Sequence, residues 1–222
     1  MKKRNLSLQG IILEIIIVII GISIAFWLNN WGEERKERAL EVEYMKAWRG
    51  ELASDSTIFL YQIERTETQV EHLQRFCDIL RAKEYDNDSI PWFVGMFLNR
   101  NNWIVNSNTY ETLKNSGKLD IISDFEFRAE ISLFYRIRTL QTEEMLNLVQ
   151  RFSENHMDKY LTQNTDYFIS NSPDNSFVRD TEFQNLLALW TELHAQKGAV
   201  YKETVNDITH LISKLDAYLE EE

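Results

Sequence analysis

Apolar residues fill the chain from position 11 to position 28, and only Glu14 and Ser23 interrupt them. Eighteen residues in a helix are about 27 Å long, close to the thickness of the hydrocarbon core of a bilayer. Three basic residues precede the run at positions 2 to 4, which favours retention of that end in the cytoplasm. The pattern therefore predicts a cytoplasmic basic start at 1–10, a transmembrane anchor at 11–31 and an extracytoplasmic domain at 32–222.

A cleaved signal peptide is the main alternative for this segment. The apolar run is long for a signal peptide, and it ends in an aromatic stretch instead of small residues. Trp27 and Trp31 in that stretch suit the water interface on the far side of a membrane. The sequence thus favours an uncleaved, single-pass signal anchor in the inner (cytoplasmic) membrane, with the N-terminus cytoplasmic and the C-terminal domain periplasmic.

Beyond the anchor, apolar residues recur at helical spacing in three long segments, and turn-forming residues are scarce, with seven Gly and two Pro. The pattern predicts an all-α fold, in which the transmembrane helix is followed by an elongated bundle of three long and two short helices. A polar stretch at 54–57 is a candidate kink in the first long helix. The predicted long helices cover residues 33–85, 123–163 and 181–222, and the short ones cover 90–99 and 109–117.

Helix-end signals support these boundaries. Ser123 and Thr181 each begin a capping box, and Gly117 suits the left-handed position after a helix. From helix lengths and short connections we expect an up-down-up course. The short helices would then cap the end far from the membrane, the 164–180 loop would lie near the membrane, and the chain would end far from it.

The net charge of −11 restricts the partners. The first 31 residues contribute +2, from three basic residues against Glu14, so the remainder carries −13. Such a domain repels nucleic acid and anionic headgroups. The single cysteine, Cys77, excludes an intramolecular disulfide and falls on an apolar helix face, where a buried thiol is expected.

Two segments resemble an uncharacterised family of small single-pass membrane proteins from Bacteroidota. In residues 14–36 a Glu opens the span, and Asn29, Asn30 and Trp31 followed by charged residues close it. Residues 109–124, Thr-Tyr-Glu-Thr-Leu-Lys-Asn-Ser-Gly-Lys-Leu-Asp-Ile-Ile-Ser-Asp, resemble the second recurring motif of that family. The resemblance covers about 40 residues and implies an envelope protein with a helical extracytoplasmic domain. It implies no activity.

Glu14 is the most distinctive residue of the anchor, because an ionisable group inside a span is costly and usually faces protein or water. It shares one helix face with a Gly-x-x-x-Ala pair, whose small residues let helices approach closely. We expect a structural contact with another membrane helix. A proton-coupled carboxylate, as in stator proteins of the same topology, and a snorkelling side chain remain alternatives. The predicted contact face consists of Glu14, Val18, Gly21, Ala25 and Leu28.

A dense aromatic cluster follows the first long helix. It comprises Trp92, Phe93, Met96, Phe97 and Trp103. Packing in the core is the first interpretation, and an exposed partner patch or an apolar ligand pocket is the second.

No catalytic or metal-binding motif emerges from the sequence. Glu203, Asp207 and His210 lie one turn apart, yet a metal site would need further ligands from another helix. We therefore predict no enzyme activity, no metal and no cofactor. The expected function is a membrane-anchored scaffold or accessory subunit of a cell-envelope complex, forming a homo-oligomer or binding another membrane protein. Alternatives are an ion- or proton-coupled membrane subunit using Glu14 and a periplasmic ligand-binding module.

Overall fold

The computed structural model describes residues 8–98, 102–165 and 175–220, and all regular structure within these ranges is helical. The predicted all-α class is confirmed. Among the described residues, one helix near the N-terminus is long and apolar enough to cross a membrane, with a mean hydropathy of 2.4 in its most apolar window.

Helix α1 spans Leu8–Arg81 and is 74 residues long, which corresponds to about 111 Å. It contains both the predicted anchor and the first long helix of the bundle, with no break between them. Side-chain pairs one turn apart bridge the expected boundary. Asn29 Nδ2 donates to Glu33 Oε1 at 3.3 Å, and the Arg35 guanidinium lies 5.5 Å from the Trp31 ring centre.

Helix α1 continues without a break through the candidate kink at 54–57. The hydroxyl of Thr57 donates to the carbonyl of Ala53 at 3.0 Å, one turn back, so this polar side chain is satisfied within the helix.

Shorter elements follow α1. Gly117 has a φ of +67°, which confirms the predicted left-handed position. The short helices are α2 at Ile90–Gly95 and α3 at Asn108–Asn115. A 3₁₀ turn follows each of them, at Met96–Leu98 and at Leu119–Ile121. Residues 102–107, between these helices, are irregular.

The second long segment consists of three α-helices joined by π-helical turns. Its inward face includes Met145 and Val149, whereas Leu148 is 40% exposed. Helices α4, α5 and α6 span Phe125–Phe134, Leu140–Phe152 and Asp158–Asn164, and the π turns are Tyr135–Thr139 and Ser153–Met157.

The last helix, α7, spans Thr181–Glu220 after a 3₁₀ turn at Ser176–Arg179. Both predicted capping residues are off by one position. Asp124 rather than Ser123 caps α4, accepting from the Phe127 N–H at 3.0 Å. At the start of α7 the capping residue is Asp180 rather than Thr181. The Asp180 carboxylate accepts from the Glu182 N–H at 3.0 Å.

The predicted up-down-up course is wrong. We call the end of the bundle where α1 leaves the anchor the proximal end and the end near Arg81 the distal end. Helix α7 runs antiparallel to α1: Arg49 Nε lies 2.7 Å from Asp216 Oδ1 near the proximal end, and Arg179 Nη2 lies 3.3 Å from Asp86 Oδ1 at the distal end. The described residues 175–180 of the predicted loop are therefore distal, and Glu220 is proximal.

The prediction omitted one downward stretch of the chain. Residues 102–124, the descending segment, run along α1 towards the proximal end instead of covering the distal end. The Asn106 N–H donates to Asp55 at 2.7 Å, and the Ser123 N–H donates to Glu41 at 2.7 Å, two well-separated levels of α1. Glu41 and Asp55 are about 21 Å apart along α1, and the stretch from Asn106 to Ser123 is long enough to cover that distance even where it is helical. The bundle therefore runs up, down, up and down.

Two apolar cores occupy the bundle. The proximal core includes Trp48 and Phe59, and the distal core includes Phe76, Phe183 and Trp190. Buried polar side chains lie between the two cores, on facing stretches of α1 and α7. We call them the polar belt; its members are Gln62, Thr66, His194 and Lys197.

Candidate functional site

The predicted contact face of the anchor is open. Every side chain described between positions 12 and 31 is exposed, including Glu14, Val18 and Ala25. A Cβ added at Gly21 meets nothing within 4 Å. The structure therefore brings no other described residue of this chain to the face, and the small residues remain accessible to a helix from another chain.

The aromatic cluster divides between core and surface. Phe93 and Phe97 are buried in the distal core, Phe93 stacking on Phe76 with ring centres 5.0 Å apart. These two residues are thus core, which removes them from the predicted partner patch. Trp92 is 55% exposed, and Met96 is half-buried.

Trp103 lies apart from that group, at the start of the descending segment. Its side chain is 37% exposed, and its backbone N–H donates to the hydroxyl of Tyr201 at 3.0 Å.

A cavity of about 370 Å³ opens where α1, α2 and α7 meet, beside the polar belt. The exposed ring of Trp92 forms one wall and meets the ring of His72 edge-on, with centres 4.9 Å apart. Met96 extends this apolar wall. On the opposite side the lining is polar and includes Gln62, Arg65, Thr66, Gln69 and Lys197.

Lys197 is the most unusual residue of the cavity, because only 3% of its surface is exposed. Burial, and secondarily the nearby Arg65, lowers the pKa of Lys197 to about 8. Two amide atoms of lining residues, Gln62 Oε1 and Gln69 Nε2, are buried without a hydrogen-bond partner among the described residues. Such atoms are costly in a folded protein and are uncommon.

His194 belongs to the polar belt, next to Lys197 on α7. Its Nδ1 lies 3.0 Å from the Trp190 carbonyl oxygen. Burial, and then the charge of Lys197, lowers the pKa of His194 to about 4, so the imidazole is neutral near pH 7. Only 1% of the surface of His194 is exposed.

Three acidic residues of α1 hold the descending segment in place, and sequence reasoning missed them. Glu41 accepts from the backbone of Ser123, and Asp55 from the backbone of Asn106. Glu51 accepts from the Thr109 N–H and hydroxyl, at 3.1 and 2.7 Å, at the start of α3. Burial raises the pKa of Asp55 to about 6 although its hydrogen bond opposes the shift.

The three residues considered for a metal site contact side chains of opposite helices instead. Glu203 and Asp207 both bind Arg138, at 2.8 and 2.7 Å, and His210 Nε2 lies 2.8 Å from Glu130. Within the described ranges, no group of three or more His, Cys, Asp or Glu side chains is placed to hold a metal ion.

The lone cysteine lies beside the distal core. Cys77 is half-buried, with its Sγ 3.8 Å from Thr191 Oγ1, and burial raises the pKa of the thiol. A raised pKa disfavours the reactive thiolate.

No protein-family model, no curated protein and no solved structure matches the chain. The arrangement of its own residues therefore carries the functional argument.

Proposed function

We propose that this protein is a non-enzymatic, membrane-anchored scaffold or accessory subunit of a cell-envelope complex. Residues 11–31 anchor it in the inner membrane with the N-terminus in the cytoplasm, and the bundle lies in the periplasm. We also propose that it belongs to the Bacteroidota family that its two motifs resemble.

The continuity of α1 carries this proposal. An unbroken helix links the apolar segment to the spine of the bundle, because residues 45–80 of the same helix supply both cores. An anchor joined in this way has no flexible linker, so the bundle takes a defined orientation relative to whatever the anchor contacts. Fixed orientation suits a scaffold that holds partners in register.

The open anchor face supports association within the membrane. In lipid, helix contacts depend on close packing and on hydrogen bonds, since no apolar surface is removed from water. Gly21 and Ala25 allow close approach, and Glu14 offers a hydrogen bond at the same interface. A carboxylate is less costly in such a contact than facing lipid.

The basic start and the tryptophans support the orientation. Positive charge concentrates before the span, and Trp31 marks its other end, next to Glu33 and Glu34. The chain after residue 31 carries a net charge of −13, which disfavours its contact with anionic lipid headgroups.

Cysteine cross-linking in native membranes tests the proposal. In a Cys77→Ser background, Val18→Cys and Ala25→Cys should form oxidative cross-links, whereas Ile16→Cys and Ile20→Cys, away from the seam, should form few. Equal efficiency at all four positions would show that the Glu14 face has no special role. Cross-linking at Ile16 and Ile20 alone would place the contact on another face.

A further inference from the structure

We propose that Glu51 and Asp55 form an acid latch, which holds residues 103–109 against α1 more tightly in mild acid than at neutral pH. The arrangement of two neighbouring carboxylates on one short segment carries the proposal. It goes beyond the function proposed above and does not depend on association of the anchor.

Both carboxylates of the acid latch bind the same short segment. Asp55 Oδ2 accepts from the Asn106 N–H at 2.7 Å. Glu51 accepts from the Thr109 N–H at 3.1 Å and from the Thr109 hydroxyl at 2.7 Å. Because Glu51 and Asp55 are four positions apart on α1, their side chains are neighbours on one helix face. The segment is therefore fastened to α1 through two groups of like charge.

Burial makes the charge of Asp55 costly. Asp55 is only 1% exposed, and a charge at such a position is unfavourable. Burial first, and then the charge of Glu51, raises the pKa of Asp55 to about 6, although hydrogen bonds from the Asn106 N–H and the Trp103 side chain oppose the shift. Protonation removes the charge and still leaves a carboxyl oxygen that accepts from the Asn106 N–H.

Among the described residues, two tyrosines face this position from the elements packed against it. Burial, and then the charges of Glu51 and Asp55, raises the pKa of Tyr135 in the first π turn, so its hydroxyl stays neutral. The hydroxyl of Tyr201 on α7 accepts from the Trp103 N–H at 3.0 Å. Neither tyrosine supplies a positive charge, so protonation of Asp55 is the means by which this position becomes less costly.

The closed segment should bind the Asp55 proton more tightly than the open segment, in which the pKa returns to its usual 3.8. The stabilisation by this proton is fully present below pH 3.8 and is lost as the pH rises through about 6. Opening should be about tenfold more frequent at about pH 7.5 than at about pH 5. Each opening frees Trp103, a member of the predicted partner patch, and removes Val105 from the proximal core.

Hydrogen–deuterium exchange of the full-length protein in detergent, followed by mass spectrometry at about pH 5 and about pH 7.5, tests the acid latch. After correction for intrinsic exchange rates, the peptide covering Asn106 and Thr109 should exchange about tenfold faster at the higher pH. The peptide containing Ser123 is an internal control and should show no difference. Its partner Glu41 is ionised at both pH values, because burial raises the pKa of Glu41 less than its hydrogen bonds lower it.

Matched variants assign the effect to the acid latch. Asp55→Asn keeps an acceptor of the same shape but cannot ionise, so exchange should be equal at both pH values. Asp78→Asn changes an exposed aspartate of the same helix and should keep the tenfold difference (about one pKa unit of linkage). Glu51→Gln keeps an acceptor for Thr109 and should move the midpoint of the change to lower pH. The proposal is overturned if the parent shows no difference or the opposite one, or if Asp55→Asn keeps the difference. Should Asp55→Asn fail to fold, an unmoved midpoint in Glu51→Gln overturns it.

Discussion

Replacing Glu41 by Ala should detach the lower part of the descending segment from α1. Glu41 is only 2% exposed and accepts hydrogen bonds from the Ser123 N–H at 2.7 Å, the Ser123 hydroxyl at 3.0 Å and the Arg38 guanidinium at 2.5 Å. Tyr218 also hydrogen-bonds to this carboxylate. Alanine removes the acceptor of the Ser123 N–H and hydroxyl, whereas Arg38 keeps its hydrogen bond to the Tyr218 hydroxyl. The segment around Ser123 therefore loses its main polar attachment to α1.

The size of the effect follows from those contacts. A donor that loses its acceptor at a buried position costs about 1–3 kcal/mol, and Arg38 keeps the Tyr218 hydroxyl, so we expect a loss of about 2 kcal/mol. For a domain of this length the loss corresponds to roughly 4–8 °C in melting temperature. Glu41→Gln keeps an acceptor for Ser123 and should cost about 1 kcal/mol.

Thermal unfolding of the detergent-solubilised protein, followed by circular dichroism, measures the difference. Glu43→Ala is the matched control, because Glu43 is exposed on the same helix and should change stability by less than about 0.5 kcal/mol. If Glu41→Ala melts together with Glu43→Ala, the clamp contributes nothing and the reasoning is refuted.

The same clamp gives a signed pH dependence. Burial tends to raise the pKa of Glu41, but hydrogen bonds from Tyr218, Ser123 and Arg38 outweigh it and hold the pKa below its usual 4.5. The folded pKa is thus lower than the unfolded one. The stabilisation is present above pH 4.5 and is lost as the pH falls through the folded value. The melting temperatures of the parent and Glu41→Ala should therefore converge in acid.

Three further predictions concern topology, a buried histidine and the anchor carboxylate. Spin labels at Glu37→Cys and Glu220→Cys, in a Cys77→Ser background, should lie within about 20 Å of each other, whereas an outward-running last helix would separate them by about 60 Å. The lowered pKa of His194 means that its stabilisation is present above pH 6.5 and is lost as the pH falls towards 4, so His194→Leu should flatten the stability profile in that range; an unchanged profile would contradict its burial as a neutral group. Glu14→Gln should preserve cross-linking of the anchor, since an amide still hydrogen-bonds across helices; its loss would favour the ion-coupled alternative.

Local sequence signals predicted the helices well because those signals act locally. The helical spacing of apolar residues in α7 and the glycine at position 117 were both visible in the sequence, and each acts on nearby turns. The caps were missed by one residue because Ser123 and Asp124 are both good cap residues. Glu41 decides between them, since it takes up the Ser123 hydroxyl and leaves Asp124 to cap α4.

Helical periodicity does not tell whether a segment runs towards the proximal or the distal end, because that direction depends on contacts between residues distant in sequence. Residues 102–107 contain no repeating pattern, and their placement depends on carboxylates of α1 such as Asp55, about fifty positions earlier. The cavity was missed for the same reason. Gln62 and Lys197 come from helices that meet only in the fold. The one sequence signal for the cavity was that Lys197 directly precedes Gly198, which lies among the regularly spaced apolar residues of α7.

The mass of the protein in native-membrane nanodiscs tests the central claim, association through the anchor face, most directly. The parent chain should appear in an assembly heavier than a single 26.4 kDa chain. Gly21→Ile should reduce that assembly, because the added side chain blocks close approach while meeting nothing in its own chain. Ser23→Ile, on the opposite face, should not. A parent protein found alone as one 26.4 kDa chain, or equal masses for both variants, would contradict the account.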